Sequence, residues 1–133
     1  MQRTHRSLAC TSLLVDDLDL AIAHFTQVLH FELLEDTPLG GGRRWVRVAP
    51  SLEAGGVLLL AQASTPEQRA LVGRQWAGRV GLFLQSSDFT ADHARLSAAG
   101  VRFHEAPRDE SYGRVAVFED RWGNLWDLIE PRP

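Results

Sequence analysis

The feature that most constrains the fold of this chain is an order of secondary-structure signals that occurs twice. Each half begins with a β-rich run, continues through an acidic helix start into an amphipathic helix, and ends with three further strand-like runs. Sliding the chain so that Val15 falls on Leu84 also places His24 on His93. A long period with matching element order predicts two copies of one supersecondary unit, β-α-β-β-β, and therefore an α+β fold.

The same signals give the expected boundaries of the two units. The first module is predicted at about residues 6–61, a polar connector at 62–78, and the second module at 79–131. Within the first module we interpret residues 36–42, which contain a proline and three consecutive glycines, as a loop. Residues 107–112 in the second module are interpreted as another loop because charged residues follow a proline there.

The composition argues against several classes of partner and location. Acidic and basic residues, 17 and 14 in number, are interspersed and give a net charge of -3, so neither nucleic acid nor a membrane surface is an expected partner. Cys10 is the single cysteine, which rules out an intramolecular disulfide and favours a reducing, cytoplasmic location. The apolar runs are too short for a signal peptide or a membrane span.

The last strand-like segment, within residues 118–131, carries the most conspicuous ionisable group. After a Gly-Asn turn, Asp127 lies inside an otherwise apolar strand. Trp126 alternates with Asp127 and is predicted to point into the core. By the same alternation, Trp45 and Arg47 share one face of an earlier strand and are candidates for a binding surface.

Three segments together resemble the vicinal oxygen chelate superfamily, which includes glyoxalase I, extradiol dioxygenases, and fosfomycin- and bleomycin-resistance proteins. They are residues 15–19 with the helix that follows, residues 98–101, and the pattern Asp-x-x-Gly-Asn-x-x-Asp-Leu-x-Glu-Pro at residues 120–131. The resemblance covers nearly the whole chain. It implies curved mixed sheets with the helices on the convex sides, a pocket enclosed by the concave sides, and a homodimer as the expected assembly.

The resemblance also implies where metal ligands of the superfamily would fall, and these positions are largely not retained. The first-strand positions are Cys10 and Arg79, and the last-strand position of the first module falls near Leu58 or Leu59. Only Asp127, at the last-strand position of the second module, is acidic. Zn²⁺ sites use three or four protein ligands, so we expect no metal and no cofactor.

Because the first and last strands of a module are neighbours in this superfamily, the resemblance further predicts that Arg79 and Asp127 lie side by side. A guanidinium and a carboxylate in that position would satisfy each other's charge. The pair would be structural, or Arg79 would also offer an N–H edge to an anionic or carbonyl-bearing ligand.

The function we expect is that of a metal-free small-molecule-binding protein, resembling bleomycin-resistance proteins, that sequesters a hydrophobic or aromatic ligand. Arg47 or Arg79 would be the polar anchor. The predicted ligand-binding residues are Trp45, Arg47, Arg79, Phe83, Tyr112 and Asp127.

Two alternatives stay open at this point. One is a metal-dependent enzyme of glyoxalase or dioxygenase type, in which Asp127 is joined by His5, Cys10 or groups of a partner chain. The other is a structural or partner-binding module. Trp76 and Trp122 fall in loops, where either would line a pocket or a subunit interface.

Overall fold

Two mixed sheets, one for each module, form the frame of the computed structural model, which describes residues 4–53 and 55–133. The elements in chain order are β1 (Thr11–Val15), α1 (Leu18–Ala23), a π-helical turn (His24–Val28), β2 (Glu32–Gly40), β3 (Arg43–Ala49), β4 (Leu58–Gln62), α2 (Pro66–Leu71), β5 (Val80–Gln85), α3 (Phe89–Ala98), β6 (Arg102–Phe103), β7 (Arg108–Glu110), β8 (Gly113–Glu119) and β9 (Leu125–Pro131). Among the described residues, none of the helices has the length and apolar character needed to cross a membrane.

The strand order confirms the predicted α+β fold with mixed sheets. The first sheet has the order β1-β4-β3-β2, and the second has the order β5-β9-β8-β6, with β7 also paired to β8. In each sheet the first strand of the module runs parallel to its last strand, β1 beside β4 and β5 beside β9. The remaining pairs are antiparallel.

Local sequence explains where the helices begin and end. Asp17 and Asp88 are the N-caps of α1 and α3, and each carboxylate accepts a backbone N–H from the first turn of its helix. After the π-helical turn, the chain reverses at His30 with a φ of 59°. Histidine is one of the few non-glycine residue types that adopt this left-handed conformation more often than others.

Both segments predicted to be loops contain strand instead. Strand β2 continues through Pro38 to Gly40, with a register irregularity beside the proline. Proline is tolerated there because β2 is the outer strand of its sheet, where a missing N–H breaks no ladder. In the second module Arg108–Glu110 pairs with β8, although its residues have low strand propensity. In both places, pairing with the next strand across a tight hairpin overrides local propensity.

The two modules share one apolar core on the side of the sheets that bears the helices. Phe25 and Phe31 of the first module contact Trp126 of the second, with ring centroids 6.1 and 5.9 Å apart. Trp126 is 3% exposed, which confirms its prediction as a core residue. Burial of several large aromatic side chains is the main force that joins the modules.

Candidate functional site

Each sheet presents one side to the helices and the opposite side, which we call its open face, away from them. In β3, Val46 and Val48 are fully buried on the helix side, so Trp45 and Arg47 lie on the first open face. In β9, Trp126 and Leu128 are buried on the helix side. By alternation and register, the opposite side of this sheet is the second open face, and it carries Phe83, Arg108, Val117 and Asp127.

The centre of the second open face is a row formed by Phe83, Asp127 and Val117. Asp127 on β9 is in register with Phe83 on β5 and with Val117 on β8. Phe83 is 64% exposed, so its ring is available for contact with a ligand. It also borders an apolar cleft of about 260 Å³ between the modules, which reaches Phe31 and Trp126. This row is a site at which an aromatic surface adjoins a carboxylate.

The carboxylate of Asp127 forms no hydrogen bond or ion pair with any of the described residues, and its Oδ1 atom is buried. Burial raises the pKa of Asp127 above its ordinary value, and the positive charge of Arg108 opposes that rise. A carboxylate held in this state interacts favourably with a hydrogen-bond donor brought to it.

Arg108 is the cation that lowers the pKa of Asp127, but it donates its hydrogen bonds to two other carboxylates. Its Nε donates to Oε1 of Glu105 at 3.0 Å, and its Nη1 donates to Oε1 of Glu110. The two carboxylates raise the pKa of Arg108, with Glu105 the larger cause. Glu105 also accepts the backbone N–H of Val117 at 3.3 Å. The hydrogen bonds to Glu105 and Glu110 therefore fix the position of the Arg108 guanidinium.

The first open face combines an aromatic ring with a neutralised guanidinium. Trp45 is 37% exposed. Beside it, Nε of Arg47 donates to Oε1 of Glu35 at 3.0 Å, and the hydroxyl of Thr37 donates to the other carboxylate oxygen at 3.0 Å. The hydrogen bond from Arg47 is the main reason that the pKa of Glu35 is lowered. The predicted anchor Arg47 thus already has a partner within the chain.

The predicted pairing of Arg79 with Asp127 is wrong. Arg79 directly precedes Val80, which is in register with Leu125, whereas Asp127 is in register with Phe83. Arg79 lines a separate crevice beside Trp76, and it forms no ion pair with any carboxylate of residues 4–53 or 55–133. The charged groups are separated because the strand register, not the count of residues before each helix, decides which side chains meet.

The prediction also treated Arg79 as the equivalent of Cys10 in the second module, and the helix N-caps show that this equivalence is wrong. Measured back from the N-caps Asp17 and Asp88, the position equivalent to Cys10 is Gly81. A Cβ at Gly81 would lie 2.0 Å from an atom of the Trp76 ring, so that ring takes the space of a side chain. Within the described residues, no group of three or more His, Cys, Asp or Glu side chains is placed to hold a metal ion.

The remaining aromatic candidates lie away from the central row. Tyr112 is 55% exposed in the turn between β7 and β8, where Gly113 pairs with Pro131. That pair is four ladder positions from Asp127, or ~13 Å along the strand. Trp122 stacks on Phe25, and its Nε1 donates to Asp16 at 2.7 Å. Through these two contacts, Trp122 connects the β8–β9 turn to the first module.

A second cleft, of about 520 Å³, lies beside this turn and is lined partly by His24, Arg102 and Trp122. It contains none of the residues predicted for ligand binding. The backbone N–H of Arg121 donates to Nε2 of His24 at 3.3 Å across it. Burial lowers the pKa of His24 below its ordinary value. The cleft is thus part of the contact between the modules.

With this geometry established, comparison with known proteins identifies the family. A family model described as the Glyoxalase/Bleomycin resistance protein/Dioxygenase superfamily matches residues 7–128. The chain belongs to this superfamily. An uncharacterized protein of Shewanella frigidimarina (strain NCIMB 400) is 45% identical over 126 residues, which cover 94% of this chain and 93% of the relative.

Two solved structures are close in fold to this chain. TnmS3, an antibiotic binding protein from Streptomyces sp. CB03234, has a TM-score of 0.80 at 31% identity, covering 98% of this chain and 100% of TnmS3. A glyoxalase/bleomycin resistance protein from the same strain has a TM-score of 0.73 at 34% identity, covering 92% of this chain and 99% of that protein. The superfamily resemblance drawn from the sequence is confirmed.

The sequence did not predict that Glu105 and Glu110 would both form ion pairs with Arg108. The sequence interpretation places Arg108 and Glu110 in a loop at residues 107–112, so it assigns their side chains to no face of the sheet. The alternation of Arg108 with Asp109 was the available signal, since period-two spacing places neighbours on opposite sides of a strand. That signal was too short to separate a three-residue strand from a polar turn.

Proposed function

We propose that the protein binds and sequesters a hydrophobic or aromatic small molecule without a metal ion. The observation that carries this proposal is the exposure of Phe83 and Trp45, one large aromatic side chain on each open face. Aromatic rings supply large contact area to a ligand at low conformational cost. The similarity to TnmS3, an antibiotic binding protein, supports the same function.

The arrangement around Asp127 supports metal-independent binding. A divalent cation in an enzyme of this superfamily needs several protein ligands beside its open positions. Here Phe83 and Val117 flank Asp127 in the ladder, and the position equivalent to Cys10 is a glycine. A single carboxylate between two apolar side chains is a poor cation site and a suitable polar contact in an apolar pocket.

We further propose that the protein acts in the cytoplasm as a homodimer whose open faces form the walls of the pocket. Each open face provides one wall with an exposed aromatic ring, and a ligand-binding pocket usually buries most of its ligand. Sedimentation equilibrium is expected to give twice the chain mass of 14.8 kDa. A monomer at micromolar concentration, with and without ligand, would contradict the dimer and leave the binding proposal standing.

The binding proposal is tested by titrating planar three-ring aromatics, such as 9-aminoacridine, and following probe fluorescence. Phe83→Ala and Trp45→Ala are each expected to weaken binding at least tenfold, since burial of an aromatic ring contributes about 1.5–3 kcal/mol. The matched control is Leu71→Ala, which removes an exposed apolar side chain from α2. Chelator should have no effect on the titration. Binding that requires added divalent metal, or that survives both aromatic substitutions, would refute the proposal.

A further inference from the structure

The charges on the open faces are distributed unevenly between paired and unpaired groups. On the first open face, the guanidinium of Arg47 is bonded to Glu35 at 3.0 Å. On the second, the guanidinium of Arg108 lies between Glu105 and Glu110 and bonds to both. Both arginines therefore already have carboxylate partners within the chain. An anionic ligand would have to displace one of these carboxylates to gain a charge-assisted hydrogen bond.

Asp127 is in the opposite situation. It has no hydrogen-bond or ion-pair partner in the described part of the chain, and one of its oxygens is buried. The carboxylate can accept hydrogen bonds at both oxygens, and rotation about its terminal torsion exchanges them at little cost. The unsatisfied polar group beside the aromatic surface is an acceptor with negative charge, not a donor.

The neighbours of Asp127 determine the shape of what it can accept. Phe83, in register on one side, is 64% exposed and offers the face or edge of a ring. Val117, in register on the other side, offers an apolar contact. A flat apolar body placed against Phe83 brings its rim within reach of the carboxylate, since in-register side chains lie about 5 Å apart.

We propose that the second open face selects planar aromatic molecules that are neutral or cationic and that donate a hydrogen bond to Asp127, and that it rejects aromatic anions. Phe83 supplies the stacking surface, and Asp127 supplies the selectivity. This inference rests on the proposed binding function and specifies its ligand class. It also places the polar anchor on a carboxylate, where the sequence had suggested Arg47 or Arg79.

Three anthracene-sized probes separate the two levels of the proposal. They are 9-aminoacridine, a cationic donor at neutral pH; 9-anthracenemethanol, a neutral donor; and anthracene-9-carboxylate, an anion without a donor. Dissociation constants are measured by fluorescence at one ionic strength. We expect both donors to bind at least tenfold more tightly than the carboxylate. In Asp127→Asn that difference should fall below threefold, because the amide removes the charge and can rotate to donate.

Two further variants serve as controls, one outside the site and one at its stacking surface. Asp109→Asn makes the same chemical change on β7, but Asp109 is paired in register with Arg114 and lies on the other side of the strand from Arg108. It should keep the full tenfold discrimination. Phe83→Ala should weaken all three probes by a similar factor and leave their order unchanged. Far-UV circular dichroism of each variant establishes that it is folded before its binding is compared.

The outcomes are distinguishable. If anthracene-9-carboxylate binds as tightly as the donors, or if Asp127→Asn keeps the discrimination, the selectivity inference is refuted while the binding function stands. If none of the three probes binds, the binding function fails and the inference fails with it. A donor preference that depends on Asp127 and not on Asp109 supports both.

Discussion

Replacing Asp120 with asparagine is expected to remove a large part of the stability of this protein, although aspartate and asparagine side chains have nearly the same shape. Asp120 is 5% exposed and precedes the β8–β9 turn. Its Oδ1 accepts the backbone N–H groups of Trp122 at 3.1 Å and Asn124 at 3.0 Å. Its Oδ2 accepts Nδ2 of Asn124 and Nε1 of Trp126, each at 3.0 Å. One buried carboxylate thus satisfies four donors.

The magnitude follows from what an amide can accept. Asparagine keeps one oxygen, which can still serve two of the donors, but its NH₂ group must then face the other two. Two hydrogen bonds to a charged acceptor are lost, at about 1.5–3 kcal/mol each, so the expected loss is about 3–6 kcal/mol. A domain of this size is stable by about 5–15 kcal/mol in total, so the variant is expected to be marginal.

The free energy of unfolding is measured by urea denaturation followed by far-UV circular dichroism. Asp109→Asn is the matched control, because Asp109 is exposed and its ion pair with Arg114 is long, at 3.8 Å. The control is expected to lie within about 1 kcal/mol of the unmodified protein. An Asp120→Asn variant that also lies within about 1 kcal/mol would show that the four hydrogen bonds contribute far less than this geometry implies.

Three further outcomes are expected. Trp122→Phe keeps the stacking on Phe25 but loses the hydrogen bond to Asp16, so thermal denaturation should show a loss of about 0.5–1.5 kcal/mol, and an unchanged midpoint would contradict a fastening role. Because burial lowers the pKa of His24, the unfolded chain binds more protons at this residue. Urea denaturation at several pH values should therefore show stability that is complete above the ordinary pKa of 6.5 and declines as the pH falls towards the lowered pKa, and His24→Gln should reduce that decline. Asp127→Asn should be at least as stable as the unmodified protein at neutral pH, since burial raises the pKa of Asp127; a clear loss in urea midpoint would show that its charge is compensated.

The module boundaries remain a prediction, but several local features could be derived from the sequence because their causes are local. The N-caps Asp17 and Asp88 lie directly before apolar helical periodicity, and a carboxylate at that position satisfies free backbone N–H groups wherever the helix lies. The Gly-Asn turn and the alternation of Trp126 with Asp127 are equally local. These features carry the resemblance to the superfamily.

The register between strands could not be derived in the same way. The expected meeting of Arg79 with Asp127 failed because Asp127 is in register with Phe83, four residues after Arg79, and a count along one strand does not contain that register. The same limit concealed Arg108, whose strand exists through its pairing with β8. A pattern within three residues does not show that the next strand folds back and pairs with them.

The sequence by itself determined the α+β class, the doubled β-α-β-β-β order and the core position of Trp126, since these follow from periodicity, capping and turn chemistry. The superfamily followed from the resemblance of its motifs to those of known proteins. The tertiary structure alone decided which charges are paired. In the fold, Arg47 bonds to Glu35 and Arg108 bonds to its acidic neighbours. Asp127 lies beside Phe83 and has no such partner among residues 4–53 and 55–133. Electrostatic pairing depends on a few ångströms of separation, and those are set by strand register and packing.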